Sequence, residues 1–493
     1  MKGKVEKMDR SIDYSKILEA IVAFSSETNY HKLLDIVLTK MRDITNCEAG
    51  TLYMERENKL FFTIVHNEKL DIFTYEEDTN IPPVELKQEI IENVCAFSAI
   101  NKKIINIDDV YESSEFNFQG PRKYDAMTGF RTQSMLVFPL SDLHDNVIGV
   151  IQLLNARDEA GNVVPFKKDW EHTIWSLSHI SAIALMNVRY VDEIRELFAS
   201  FVKIMTAAID ERSHYNANHT INVADNTRRF AEYLRGRFEP GSPYCLSESQ
   251  EEQLVMAAYL HDIGKVITPI EVMDKATRLG DRLQFILHRV EVKRLCDKVM
   301  SLTGKMTAEV FGEQSALLDE ALVFIDRADK AGFLPDEDLE KVKALKQIVY
   351  TDENGETHRV FDDTDIDCLS IRKGTLTDKE RDLMQEHVSI TERLLTNIKF
   401  NKQFENVPGW AASHHEFIDG TGYPHKTAGG EVPVEVRILT MMDIYDALTA
   451  SDRPYRKVMP HEVALKILRS MVEEGKLDGE VVELFAESDI WVK

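Results

Sequence analysis

The short β-rich runs of this chain give way to helical spacing near residue 170, and that change most constrains its fold. Before it, short β-rich runs recur: GTLYME (50–55), KLFFTIVH (59–66), KIINI (103–107), SMLVFPL (134–140) and VIGVIQLLN (147–155). The last two flank a polar turn at 144–146 and predict a hairpin. Helical spacing precedes them in ILEAIVAF and LLDIVLTKM and returns over 170–187. Helices bracketing hairpin-linked strands predict an α+β domain with an antiparallel sheet over 14–189. After residue 170 no proline or glycine occurs for more than forty residues. Ile194, Leu197, Phe198, Phe201, Val202, Met205, Ala208 and Ile209 keep helical spacing, so 190–212 reads as a long connecting helix. Such a helix serves either as a linker packed on its own domains or as the parallel seam of a homodimer. From 213 to 493 the text is helical almost throughout, which predicts a second, all-α domain.

A chain of 493 residues is too long for one ordinary domain. Residues 1–13 are polar and are expected to be a flexible terminus. MKGKVEKMDRS has no apolar segment after its lysines, so no secretory signal is read there, and a cytoplasmic location is expected. No apolar run approaches the ~18 residues of a membrane span. The formal charge of −25 argues against a DNA or RNA duplex as partner, which needs a basic face. It leaves room for a small anionic nucleotide, because bound metal ions can reverse the sign inside one cleft. The five cysteines lie far apart without a CxxC pair and read as packed, reduced thiols.

Five segments carry chemistry: His219 in NANHTINVA, His261 and Asp262 in YLHDIGK, His387 in MQEHVSI, His414 and His415 in ASHHEFIDGTGYP, and Asp443 in MMDIYDAL. A single histidine on a helix is usually a core or surface residue; the weight here is in the conjunction. Two-metal phosphoester hydrolysis needs ions about 3.5–4 Å apart. A carboxylate bridges two ions, which an imidazole cannot do. Asp262 beside His261 therefore offers a bridge and a terminal ligand from adjacent positions. Imidazole and carboxylate ligands without cysteine favour iron or manganese over a structural zinc.

YLHDIGK and HHEFIDGTGYP, with His219, His387 and DIYDALTASDRPYR, closely resemble the HD-GYP subgroup of HD phosphohydrolases over about 200–275 and 373–475. The resemblance implies an all-helical domain that hydrolyses cyclic di-GMP to pGpG or GMP with two divalent metals per chain. His219, His261, Asp262 and Asp443 would hold one metal. Asp262, His387, His414 and His415 would hold the other, and a shared water of lowered pKa would be the nucleophile. Lys265, read as one turn past His261 on the same helical face, would contact a phosphate. Arg453 and Arg456 would grip phosphate or guanine. Gly422, Tyr423 and Pro424, in the turn 420–424, would line the substrate cleft. His214, His425 and His461 match no ligand position and read as surface residues.

Two departures stand out. Trimetal members carry a Glu four residues before the first His, where this chain has Tyr215. MDKATRLG (273–280) and RKGTLTDKE (372–380) resemble two halves of one connection, separated by a charged helical insertion at about 276–372 with a hairpin at Asn354 and Gly355. The N-terminal text YDAMTGFRTQSMLVFPLSD and NVIGVIQLLNARDEAGNVVPFKKDWE resembles GAF domains of cyclic-nucleotide phosphodiesterases. Asn155 and Phe166 match their signature, whereas Ala156 and Trp170 depart from it. A small ligand of unknown identity, or a purely dimerising role, is the expectation for that domain. The leading reading is thus a GAF-regulated cyclic dinucleotide phosphodiesterase. The alternatives are a catalytically silent dinucleotide receptor and an enzyme preferring cyclic GMP-AMP.

Overall fold

A computed structural model describes residues 14–75, 81–87, 93–212, 218–352, 354–450 and 459–491. The expected flexible N-terminus, His214, Tyr215, Arg453 and Arg456 lie outside these residues. The chain forms two compact units that divide between Phe198 and Ala199.

The first unit begins with helices α1 (Tyr14–Ser26) and α2 (Tyr30–Thr45). Strands β1 (Cys47–Arg56), β2 (Lys59–Asn67), β3 (Ile72–Tyr75) and β4 (Val84–Glu85) follow, then α3 (Val94–Asn101), β5 (Ile105–Ile107) and α4 (Gln119–Thr128). The expected hairpin is β6 (Met135–Ser141) against β7 (Val147–Arg157); β8 (Val163–Val164) then leads into α5 (Asp169–Asp210). The sheet is antiparallel in the order β3-β2-β1-β7-β6-β5, with β4 on β2 and β8 on β7.

Alternating side chains serve two cores. Leu52, Ile64, Phe138 and Ile151 pack with Phe24, Leu34, Leu38, Ile174 and Leu185 on one face. Tyr53, Leu60, Val137 and Val150 pack with Val94, Cys95 and Phe118 on the other. Because both faces are covered, β6 is buried along its whole length and reads as a continuous apolar run rather than an alternation. Asn155, one of the two GAF-signature matches, has left-handed backbone (φ 60°) and a fully buried side chain. Its amide accepts from Gln133 N at 2.7 Å and donates to Glu48 Oε2 at 2.8 Å and Arg131 O at 2.7 Å, so it clamps the approach to β6. A cavity of about 430 Å³ lies under α3 and α4, lined by Tyr53, Phe62, His66, Phe118 and Gln152 among others.

The second unit is helical. It contains α6 (His219–Arg237), α7 (Glu248–Leu260), a 3-10 turn (Ile263–Val266) and α8 (Ile270–Met273). Next come α9 (Arg282–Leu302), α10 (Ala308–Lys330), α11 (Asp336–Ala344), the hairpin β9 (Val349–Thr351) and β10 (Thr357–Arg359), and α12 (Asp363–Leu369). Then α13 (Asp378–Thr396), α14 (Val407–Ala411), α15 (Val434–Thr449), α16 (His461–Glu473) and α17 (Gly479–Glu487) complete it. The helices α6, α7, α13, α14 and α15 pack around the motif residues.

The segment from Leu279 to Leu369 has a core of its own, built from Ile286, Val290, Leu318, Ile325, Val342, Leu345, Val360, Phe361 and Ile366. Its charged text closes over that core: Arg282 and Arg289 both bind the carboxylates of Asp362 and Asp365. The two ends are tied together. Arg278 is fully buried, and its guanidinium donates to Ile371 O at 2.7 Å, Ala328 O at 2.8 Å and Ala331 O. Lys275 Nζ lies 2.8 Å from both oxygens of Glu380, which also closes the capping box that starts α13. Wherever the insertion is taken to begin, its entry and exit are neighbours.

Candidate metal centre

The motif residues reach one place because their backbones are held close. At Gly264 an added Cβ would sit 1.9 Å from His387 O, so only glycine lets α13 lie against the turn after Asp262. Thr391, one turn beyond His387, accepts from Gly264 N at 3.0 Å and donates to His261 O at 3.0 Å. Gly422 is similarly constrained, its Cβ position lying 2.5 Å from His415 O. The 420–424 turn is fastened by Glu416, whose buried carboxylate accepts from the backbone N–H of His425, Lys426 and Thr427 at 2.6, 3.1 and 3.0 Å.

Asp262 stands in the middle, and its two oxygens face different partners. Oδ2 lies 3.2 Å from His261 Nε2 and 3.7 Å from His219 Nε2. Oδ1 lies 3.3 Å from His387 Nε2 and 3.9 Å from His414 Nε2. Asp443 joins the first group, with Oδ1 at 3.1 Å from His219 Nε2 and 3.8 Å from His261 Nε2. Its Oδ2 is 3.8 Å from His415 Nδ1. Ligand-type atoms of His219, His261 and Asp443 lie within 4.8 Å of one another, as do those of His387, His414 and His415. All seven residues expected to hold metals are thus gathered at one site.

The tautomers suit ligation. Nδ1 of His261, His387 and His414 donates to the carbonyls of Ala258, Met384 and Ala411 at 2.7, 2.5 and 2.7 Å. That leaves the Nε2 lone pair of each free, and these three Nε2 atoms, with Asp262 Oδ1, are buried without a hydrogen-bond partner. Four orphaned acceptors converging in one buried place are costly unless a cation fills the gap. The donor set therefore fits divalent metal binding. Burial pushes His414 well down and His415 to about 4, so both imidazoles are neutral and able to ligate at neutral pH. At His219 burial opposes the charged form, but Asp443 and Asp446 outweigh it and raise the group to about 10. A bound cation would displace that proton.

Lys265 is placed differently from the helical reading. The α-helix ends at Leu260 and tightens into the 3-10 turn, so Lys265 folds back on Asp262 rather than standing over His261. Its Nζ lies 2.5 Å from Asp262 Oδ2, and although burial opposes its charge, Asp262 holds the amine in the cationic form. Tyr423 lies against His415, ring centroids 4.7 Å apart, and Gly422 and Pro424 flank it. His425 faces Glu392 at 3.3 Å, away from the ligand group. His461 is not a free surface residue: its ring stacks on Trp491 at 3.6 Å and its Nδ1 meets Tyr445 Oη at 3.0 Å. Sequence reading missed Asp446, which accepts from His219 Nδ1. A second concave region, a groove of about 850 Å³ between α10 and α11, contains none of the ligand residues.

The GAF domain family matches residues 29–185, and two HD domain families match 216–331 and 365–481. The 3'3'-cGAMP-specific phosphodiesterase 3 of Vibrio cholerae serotype O1 is 40% identical over 97 residues, 20% of each chain. A cyclic di-GMP phosphodiesterase of the same organism is 33% identical over 129 residues, 24% of this chain and 25% of that one. The chain thus spans about a quarter or less of the length of these curated relatives. The GAF domain of an Acinetobacter phosphoenolpyruvate-protein phosphotransferase aligns at TM-score 0.29 and 13% identity, over 38% of this chain and 99% of that one. The chain is a GAF–HD protein. Its HD part, with the HHEFIDGTGYP string folded beside the gathered histidines, is of the HD-GYP type. No helix among the described residues is long and apolar enough to cross a membrane.

Proposed function

We propose that this chain is a metal-dependent cyclic dinucleotide phosphodiesterase that hydrolyses cyclic di-GMP or the related 3'3'-cGAMP. The observation that carries the reading is the division of Asp262: one oxygen toward His219 and His261, the other toward His387 and His414. That is the arrangement a bridging carboxylate needs. His219, His261, Asp262 and Asp443 would form one metal position, and Asp262, His387, His414 and His415 the other. Two divalent ions held there, iron or manganese by ligand type, would lower the pKa of a water so that hydroxide is available as the nucleophile at neutral pH, and would offset the phosphate charge. Lys265, held cationic beside Asp262, would meet a non-bridging phosphate oxygen. Arg453 and Arg456 would complete the grip on phosphate or guanine, and Tyr423 would offer an aromatic wall beside His415.

The relatives named for cyclic di-GMP and for 3'3'-cGAMP support the substrate class and leave both dinucleotides as candidates. A homodimer along α5 is part of the proposal. Tyr190, Ile194, Leu197, Phe201 and Ile204 are exposed and alternate four and three residues apart, the spacing of a coiled-coil seam. A small ligand in the cavity of the GAF domain would then regulate the centre.

The test is turnover of both dinucleotides by anaerobically purified protein, alongside its metal content. Hydrolysis of either with about two metals per chain is expected. Tight binding without hydrolysis in fully loaded protein would favour a silent receptor. A stoichiometry near three would mean that another group does the work of the Glu replaced by Tyr215.

A further inference from the structure

Helix α6, which begins at His219, has no side-chain cap of its own: its N-cap residue Asn218 makes no capping hydrogen bond. The exposed first-turn N–H groups of a helix need an acceptor. Here it comes from the preceding helix. Asp210, the last residue of α5, is buried, and its carboxylate accepts from Thr220 N at 3.2 Å and Thr220 Oγ1 at 3.0 Å. Two residues on, the exposed guanidinium of Arg212 reaches the other wall of the centre. It donates to Lys265 O at 3.1 Å, to Val266 O, and to Thr268 O at 3.4 Å. Lys265 O and Val266 O end the 3-10 turn that follows Asp262, and Thr268 O lies two residues beyond it.

We propose that Asp210 and Arg212 are positioning residues of the metal centre: the end of α5 fixes the start of α6, and with it His219, relative to the turn that carries Lys265. The inference rests on the metal-centre reading above. Neither residue touches a ligand position; each acts through the backbone of a neighbour. Thr206 and Val202, one and two turns earlier in α5, are buried, and Lys203 Nζ lies 5.6 Å from the ring centroid of Tyr259 on α7, so the end of the helix is anchored rather than free. Asp210 ends α5 and Arg212 follows it, so a shift or rotation of that end of the helix would reach the centre through these two residues. The two contacts would divide the effect. Arg212 would govern the phosphate-facing amine, and Asp210 the metal position that includes His219.

The experiment uses full-length, metal-loaded protein with cyclic di-GMP and 3'3'-cGAMP as substrates. Arg212→Ala should raise KM roughly tenfold, about 1.4 kcal/mol, with metal content unchanged and kcat altered less. Arg212→Lys, which keeps a cation able to meet the carbonyls, should recover most of that loss. Asp210→Ala should weaken one of the two metal equivalents about tenfold and change the visible absorption of the Co(II)-substituted protein. Asp210→Asn, which keeps an acceptor for Thr220, should fall between it and wild type. Because Arg212 is exposed, its replacement leaves the fold testable even where Asp210→Ala does not. Wild-type KM in Arg212→Ala, or variants that differ from wild type only in Tm, would overturn the proposal. If wild-type protein turns over neither dinucleotide, it is the phosphodiesterase reading that fails.

Discussion

Nδ1 of His219 donates to Asp446 Oδ2 at 2.7 Å, while Nε2 of the same ring faces Asp443 Oδ1 at 3.1 Å. Both carboxylates lie on α15, three residues apart, so one helix face supplies a ligand candidate and the group that orients its neighbour. Asp446 fixes the His219 tautomer and makes Nε2 more basic. Asp446→Ala should therefore lower metal affinity at the position that includes His219 by roughly 10–100-fold. Competition titration against a chelator measures it, and unchanged affinity would make Asp446 a bystander.

Asp262→Ala removes the proposed bridge. Both metals should be lost or displaced and hydrolysis abolished, while the far-UV spectrum stays helical. His425→Ala, facing Glu392 rather than the ligand group, should change neither metal content nor kcat/KM. Activity retained in the Asp262 variant would sink the ligand assignment.

Residues 281–370 should be replaceable by a short Gly/Ser linker, because Lys275 and Glu380 already hold the entry and exit together. Excision strips Arg278 of Ala328 O and Ala331 O, so Arg278→Ala should accompany it to avoid a stranded guanidinium. The shortened chain is expected to keep its metals and to change KM or regulation rather than abolish turnover. Loss of the metals would make the segment integral to the catalytic core.

Burial pushes the Cys47 thiol up to about 11 and the Cys95 thiol up to about 12. At pH 8 the thiolate fraction at Cys47 is then about one in a thousand, and at Cys95 lower still. Native protein treated with iodoacetamide at pH 8 should be labelled first at the partly exposed Cys245 and Cys296, with Cys47 and Cys95 reacting only on unfolding. Peptide mass spectrometry reads the order, and early labelling of Cys95 would reveal opening of the GAF domain core.

The ligand candidates were legible because each sits in a short string whose neighbours are themselves constrained, such as the glycine of HDIGK pressed on His387 O. Asp446 was as visible as Asp443 in DIYDAL, and i, i+3 spacing on a helix could have flagged it. The long helix was readable from the absence of proline and glycine. By contrast, α3 and α4 left no periodic signal: α3 is a single short apolar run, and α4, QGPRKYDAMT, is mostly polar. The independent core of the inserted segment was hidden for another reason. Its apolar residues come from helices, a hairpin and loops spread over ninety positions, and the stripe on α10 (Leu318, Ala321, Ile325, Ala328) does not itself say which distant residues it packs against. The helical placement of Lys265 failed because periodicity gives no warning of a helix tightening at its end.

The stitched ends of that segment also bear on how fast the centre can assemble. Lys275 and Glu380 are 105 positions apart in sequence, and His261 is farther still from His387. A disordered tether of that length would slow their encounter through its closure entropy. A segment that collapses first around Ile286, Leu318, Val342 and Phe361 brings its own termini together, and Arg278 fastens them. The path from one half of the centre to the other then shortens to the stretches 261–278 and 371–387. Should that core form first, the inserted helices would act as a clasp that makes distant ligand residues near neighbours ahead of metal binding.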